Sequence, residues 1–202
     1  MAVNVAIKHD ISEEDYLRGE LHSDVKHELI DGEVYAMAGV SKNHERIAGN
    51  FFVRLHTHLQ NSPCEPFSTD MKVKVGRNFF YPDAMVVCND QTDNEYYTES
   101  PSILVEVLSK STRRTDETIK RMAYQSIPTL QEFILIEQDF VDVEVCRRIE
   151  GWLSKHYFLG DQFSLESIGI NLSVEEIYYR VKNDDVMAYL HEQQASVNAE
   201  QP

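Results

Sequence analysis

Two acidic residues, Asp83 and Glu106, carry the strongest chemical signal in the sequence. In the run Ile103-Leu104-Val105-Glu106-Val107-Leu108, the two-residue period of a strand puts Glu106 on the same face as Leu104 and Leu108. An ionised carboxylate among apolar neighbours costs several kcal/mol unless it is paired, protonated or bound to a metal. Asp83 follows Tyr81-Pro82 and opens a second apolar run, Ala84 to Cys88. A loop rich in Asp, Asn, Thr and Glu, Asn89 to Ser100, separates the two runs. Antiparallel pairing around that loop makes Asp83 and Glu106 cross-strand neighbours on one face, about 5 Å apart. Carboxylates that close repel one another, and a hard divalent cation resolves the conflict. All-oxygen ligands suit magnesium or manganese better than zinc. Taken singly, Pro-Asp opens many turns and a strand carboxylate can face solvent; the conjunction of the two is what points to a site.

Lys120 is a third candidate. It shares a four-residue stripe with Asp116 and Tyr124 and borders the apolar positions Ile119, Met122, Ala123 and Ile127. It either snorkels to solvent or, if its helix covers the sheet face that holds Glu106, reaches the carboxylates, where it could orient a water or stabilise a developing phosphorane charge. Other groups are weaker. His44 falls near a helix start, Asp70 either joins the site or terminates a loop, and Lys110 lies on the Glu106 face if that strand continues. His56 and His58 sit two apart on a helix and face different ways, so they are poor co-ligands. No G-x-S-x-G, Walker loop, dinucleotide fingerprint or H-E-x-x-H occurs.

These residues need positioning elements. Ser12-Glu13-Glu14-Asp15 caps a short helix through about Gly19. His27 to Ile30 and Glu33 to Ala36 flank Asp31-Gly32, a type I′ hairpin signal. Ser41 opens a long amphipathic helix carrying Ile47, Phe51, Phe52, Leu55 and Leu59, with Pro63 as its stop. Strands are expected at Phe67 to Val75, Ala84 to Cys88 and Ile103 to Leu108, followed by a helix from Asp116 to Ile127. Glu132 to Glu137, Val141 to Val145 and Trp152 to Leu159 complete the strands, and Ser173 to Tyr179 forms a closing helix. Residues 1–182 read as one domain and 183–202 as a polar, flexible tail.

The chain has 202 residues, with 19 basic against 34 acidic side chains, a formal net charge of -15. That balance opposes a nucleic-acid partner, but its distribution is uneven. Residues 42–80 carry six basic and three acidic groups, and 110–125 carry five and two, on either side of 81–109 with none and six. A local positive patch on an acidic molecule is one reading of these islands; solvated charged faces, the commoner case for such runs, are the other. No apolar run approaches the roughly 18 residues of a membrane span, and Met1-Ala2-Val3-Asn4 lacks a signal-peptide start. Cys64, Cys88 and Cys146 are odd in number and widely spaced; Cys88 and Cys146 read as small buried hydrophobes in a reducing, cytoplasmic setting.

The motifs Tyr81-Pro82-Asp83, Val105-Glu106-Val107-Leu108-Ser109-Lys110-Ser111-Thr112, Asp116 to Tyr124 and His27-Glu28-Leu29-Ile30-Asp31-Gly32-Glu33-Val34-Tyr35 resemble the PD-(D/E)XK nuclease superfamily. More closely, they resemble a bacterial family of restriction-endonuclease-like proteins known largely as a domain of unknown function and abundant in photosynthetic bacteria. The resemblance covers about Asp24 to Val181. It implies an α/β fold with a restriction-endonuclease-like core, a mixed sheet in αβββαβ order plus flanking hairpins. It also implies a magnesium-dependent (or manganese-dependent) endonuclease acting on DNA. Asp83, Glu106 and Glu28 would bind the metal, with the Val107 carbonyl as a further ligand, and Lys120 would replace the usual lysine. That lysine is absent from its ordinary position, which is Leu108 here. The symmetry of duplex substrates points toward a homodimer, although no segment marks an interface. The rival expectations are a catalytically inactive binding or assembly module with the same fold, and a metal-dependent hydrolase of small phosphate compounds.

Overall fold

The computed structural model describes residues 10–199 apart from 91, 93 and 111, so Met1 to Asn4 lie outside the described residues. Thirteen strands run in chain order: β1 (His27–Ile30), β2 (Glu33–Ala36), β3 (Cys64–Ser68), β4 (Lys72–Val75), β5 (Asn78–Phe80), β6 (Ala84–Cys88), β7 (Tyr97–Thr98), β8 (Pro101–Leu108), β9 (Glu132–Glu137), β10 (Val143–Arg147), β11 (Ser154–Tyr157), β12 (Gln162–Leu165) and β13 (Ile170–Ser173). The helices are α1 (Glu13–Glu20), α2 (Lys42–His58), α3 (Arg113–Thr115), α4 (Arg121–Gln125), α5 (Val174–Ile177) and α6 (Asp184–Ala199), with a π-helical stretch, Asp116–Lys120, between α3 and α4.

The central sheet has the order β11-β10-β9-β8-β6-β3. Strands β3, β6 and β8 pair antiparallel, and β9 joins β8 in parallel after the helical crossover. With α2 ahead of it, this is the expected order of helix, three strands, helix and strand. Side-chain alternation divides the sheet into two apolar layers. Ile103, Val105 and Val107 of β8 face one layer with Ile47, Phe51 and Leu55 of α2. Leu104 and Leu108 face the other with Tyr124 of α4, Ile127, and Val73 and Phe80 of a smaller sheet.

That smaller sheet, β2-β1-β5-β4-β7, departs from the expected layout. The single strand expected from Phe67 to Val75 is two strands in different sheets. The chain reverses at Thr69-Asp70-Met71, where the amides of Asp70 and Met71 both donate to the Ser68 carbonyl at 2.7 and 3.2 Å. Hairpin β1–β2 forms as read, with Asp31 at φ 49° and Gly32 at φ 80°. The φ of Gly32 strains any L side chain there, and a Cβ would also crowd the Asp10 carboxylate. Strands β5, β7 and the hairpin β12–β13 were not anticipated. The tail expected to be flexible is helical in α6 to Ala199, where the Val141 amide donates to Asp185 at 2.8 Å. Among the described residues, no helix is long and apolar enough to cross a membrane.

The cysteine expectation is corrected. Cys64 and Cys88 are cross-strand partners on β3 and β6 and are joined by a disulfide, while Cys146 is free and buried. Pairing across two strands 24 residues apart in sequence brings together what linear spacing leaves remote. Closing a loop of that length should contribute about 3 kcal/mol through the unfolded chain. Urea denaturation of the parent and Cys64→Ser should therefore differ by roughly that amount in oxidising buffer and converge under reductant. Coincident midpoints in oxidising buffer would show that the two thiols are not joined.

Candidate functional site

Glu106 sits where the strand period puts it, on the Leu104 and Leu108 face of β8, and only 3% exposed. Ala84 pairs with Val105, and the Asp83 amide donates to the Val105 carbonyl at 3.0 Å. Asp83 thus lies one step past the ladder, beside Glu106. Asp83 Oδ2 accepts the Val107 amide at 2.7 Å and lies 3.3 Å from His44 Nε2. Glu28 arrives from β1. Its neighbour Leu29 turns to a separate apolar group with Tyr16 and Phe79, so Glu28 faces the site. The Tyr81 amide donates to Glu28 Oε1 at 3.0 Å.

Lys120 does not snorkel. It is 4% exposed, and its ammonium lies 2.8 Å from Glu28 Oε1, 3.1 Å from Glu106 Oε1 and 3.2 Å from Asp116 Oδ1. Tyr124 donates to the same Glu106 oxygen at 2.7 Å. The π-helical stretch explains how one helix delivers all three groups. Four α-helical residues overshoot a full turn by about 40°, whereas the wider π turn undershoots it. The step from Asp116 to Lys120 crosses the π stretch and the step from Lys120 to Tyr124 crosses α4, so the two deviations oppose one another. The regular helix expected from Asp116 to Ile127 would not align them in this way.

The electrostatics follow from burial. Desolvation pushes the Glu106 carboxyl well above its ordinary range; Lys120 opposes this, and Asp116, Asp83 and Glu28 reinforce it. Burial likewise raises Asp116 against the pull of Lys120. Burial alone would lower Lys120, but Glu106, Glu28 and Asp116 together hold it well above its usual value. For His44, burial is again opposed, here by the hydrogen bond and charge of Asp83, and the net shift is upward. His44 Nδ1 is buried without a hydrogen-bond partner among the described residues, and Asp116 Oδ1, equally buried, has the Lys120 ammonium beside it. Among those residues, no three His, Cys, Asp or Glu side chains are set as a metal cage. The Lys120 ammonium stands between the carboxylates instead.

The cluster floors a cleft of about 610 Å³, whose lining includes Glu28, His44, Asp83, Glu106, Lys110, Asp116 and Lys120. Four residues singled out in the sequence, Glu28, Asp83, Glu106 and Lys120, therefore share one cleft. Lys110 lies on its exposed side, and Asp70 does not join, being paired with Lys26 on the surface. His56 stacks on Phe52, and His58 contacts the Ile168 carbonyl at 2.8 Å, away from the cleft. Asp116 and Tyr124, read only as stripe neighbours of Lys120, prove to be part of the cluster. Their shared four-residue spacing was the available signal.

The candidate positive patch is largely consumed by ion pairs. In 42–80, Arg54 pairs with Glu176, Lys74 with Glu13 and Glu99, and Arg77 with Asp10. Lys72 is buried, with its ammonium 5.1 Å from the Tyr81 ring centre. In 110–125, Arg113 is held by Glu137 and Arg121 by Glu144. Lys42, Arg46, Lys110 and Arg114 keep no acidic partner among the described residues.

Removing the Lys120 ammonium leaves buried carboxylates uncompensated, a loss of about 3–5 kcal/mol. The sign of its pH dependence is fixed by Glu106 and Asp116. Both are raised in the fold, so they bind more protons folded than unfolded, and their contribution falls as pH rises through the folded pKa. The deficit of Lys120→Met should thus be largest near pH 8 and shrink toward pH 5, measured by urea denaturation in metal-free buffer. A deficit independent of pH would contradict this charge assignment.

Comparison with known proteins gives a consistent result. A family model named Uma2, described as "Putative restriction endonuclease", matches residues 13–175. The chain is 34% identical over 174 residues to "Uncharacterized protein slr1290" of Synechocystis sp. (strain ATCC 27184 / PCC 6803 / Kazusa), covering 83% of this chain and 91% of the relative. It is also 34% identical over 175 residues to "Uncharacterized protein sll1609" of the same strain, covering 83% and 93%. Among solved structures, it is similar to that of "a putative nuclease belonging to DUF820 from Anabaena variabilis ATCC 29413". That likeness has a TM-score of 0.69 at 16% identity, covers 83% of this chain and 97% of the other, and speaks to the fold. With the match spanning both strand motifs, the β1–β2 hairpin and the Lys120 helix, the chain belongs to the Uma2 family of restriction-endonuclease-like proteins.

Proposed function

We propose that this protein is a metal-dependent endonuclease that hydrolyses phosphodiester bonds in DNA. The observation that carries the reading is the charge balance of the cleft floor. Glu28, Glu106 and Asp116 converge on a single ammonium, with Asp83 beside them. The carboxylates outnumber the cation in a site too dry to screen them. Either protons or a divalent cation must supply the missing positive charge. The donors are all oxygen, which fits magnesium or manganese in kind.

Asp83 and Glu106, with Glu28 and the Val107 carbonyl, are the groups that would hold the cation. Bound there, it supplies a Lewis acid and a water of lowered pKa. The chain's own residues prepare the rest. The Val107 amide and His44 fix one oxygen of Asp83, Tyr124 fixes one oxygen of Glu106, and the Tyr81 amide fixes Glu28. Lys120, held rigidly among them, presents positive charge where a pentacoordinate phosphate would develop negative charge. A DNA substrate would place the protein in the cytoplasm; the Cys64–Cys88 disulfide is the feature that opposes that location.

A second reading, an inactive binding or assembly module, draws support from the net charge of -15 and the ammonium seated between the carboxylates. Metal titration and cleavage together separate the two. Magnesium or manganese at a hundredfold excess over Kd should stabilise the parent by about 2.7 kcal/mol, and Asp83→Ala or Glu106→Gln should abolish the shift. Metal-dependent cleavage should fall roughly 100-fold or more in Lys120→Arg under single-turnover conditions, and far less in Lys110→Ala. A metal-induced shift without cleavage of any nucleic acid would select the inactive module. No shift in the parent would remove the metal site.

A further inference from the structure

One wall of the cleft does not suit a charged backbone. Tyr35 and Val40 are each 49% exposed and Ile119 is 44% exposed, and together with Met37 they line the cavity above the acidic floor. Tyr35 comes from β2, an edge strand, and Met37 to Val40 form the connection into the Ser41 cap of α2. Exposed large apolar groups gathered at a cleft mark a binding surface rather than chance exposure. The surrounding charge is equally informative. Of the eleven cations in 42–80 and 110–125, Lys42, Arg46, Lys110 and Arg114 alone are neither buried nor ion-paired among the described residues. A duplex offers a dense array of phosphates and hides its base faces, so this cleft has little with which to hold one.

We propose that the cleft takes a single-stranded segment of nucleic acid, with Tyr35 stacking on an unpaired base and Val40 and Ile119 completing the apolar wall. The inference rests on the nuclease reading and names its substrate class. The cavity, about 610 Å³, is in the size range of sites that enclose a small organic ligand and accommodates a nucleotide. The Tyr35 hydroxyl donates to Glu33 Oε2 at 2.7 Å, which restrains the ring while the residue stays half exposed at the cleft. Base stacking on an aromatic ring is tolerant of sequence and needs few phosphate contacts. Affinity would then reside in the wall, and selection of the scissile phosphate in the acidic floor.

The test measures binding by fluorescence anisotropy, using a labelled single-stranded DNA oligonucleotide and its duplex in EDTA, so that metal binding and cleavage play no part. The single strand should bind at least tenfold more tightly than the duplex. Tyr35→Ala should weaken single-strand binding about 5- to 150-fold, the range for losing one stacked base, while Tyr35→Phe retains most of it. Val40→Asp, which adds a carboxylate to the same wall, should also weaken it. The slope of log K against log salt should be no steeper than about −3, the value for four cations on a single strand. Duplex binding as tight as single-strand binding, an unchanged affinity in Tyr35→Ala, or no binding of the single strand would each overturn the proposal. Metal-dependent cleavage of duplex DNA by the same preparation would then leave the nuclease reading standing without it.

Discussion

Burial of the Glu106 carboxylate on an otherwise apolar sheet face is the constraint around which the molecule is arranged. An isolated ionised group there is untenable, so every neighbouring element contributes something to it. The crossover helix brings the Lys120 ammonium and the Tyr124 hydroxyl. The β1–β2 hairpin brings Glu28 to the other side of the same ammonium. Burial, with the neighbouring acids adding to it, drives the carboxyls of Glu106 and Asp116 upward against the pull of their lysine. A stability-optimised core would use none of these groups; apolar residues of similar volume would serve as well or better. Their presence is itself the argument for chemistry.

The two layers flanking the central sheet divide the work. The α2 layer is continuous apolar packing that extends from Ile47 to the β12–β13 hairpin and α5. The opposite layer is interrupted at its upper end by the cleft, with Tyr124 forming the boundary. Its ring packs edge-on against Phe80 and Phe133 at 5.4 Å, and its hydroxyl reaches Glu106. One side chain thereby joins hydrophobic packing to the polar cluster, fixing the position of the acid through the rigidity of the core.

Much of this was legible in the sequence because it depends on local periods. Alternation in β8 fixed the face of Glu106, and equal spacing about the Asn89 to Ser100 loop predicted the neighbourhood of Asp83. The four-residue stripe put Asp116 and Tyr124 beside Lys120 without marking them as members of the cluster. What could not be read depends on contacts distant in sequence. Phe67 to Val75 alternates around Met71, Val73 and Val75, yet the turn at Asp70 sends its halves to different sheets. Cys64 and Cys88 become partners only through the β3–β6 register. The basic islands looked free because their acidic partners, such as Glu176 for Arg54 and Glu137 for Arg113, come from other parts of the chain. The family resemblance supplied the role suggested for Glu28, which its hairpin position alone left open.

The π-helical stretch makes the crossover helix sensitive to length in a way that point substitutions do not expose. A π turn accommodates one more residue than the α-helical hydrogen-bonding pattern. Loss of a single residue between Asp116 and Lys120 would let the segment relax into regular α-helix, and because four α-helical steps turn the chain about as far as five of the wider π turn, the segments on either side would keep their bearing. Tyr124 would stay in the core, while Asp116 would lose its present four-residue spacing to Lys120. A relative lacking one residue here is therefore expected to keep the helix seated on the sheet while changing the Asp116–Lys120 pair. An alignment gap at 117–119 would mark a lineage that has rebuilt the site on an unchanged fold.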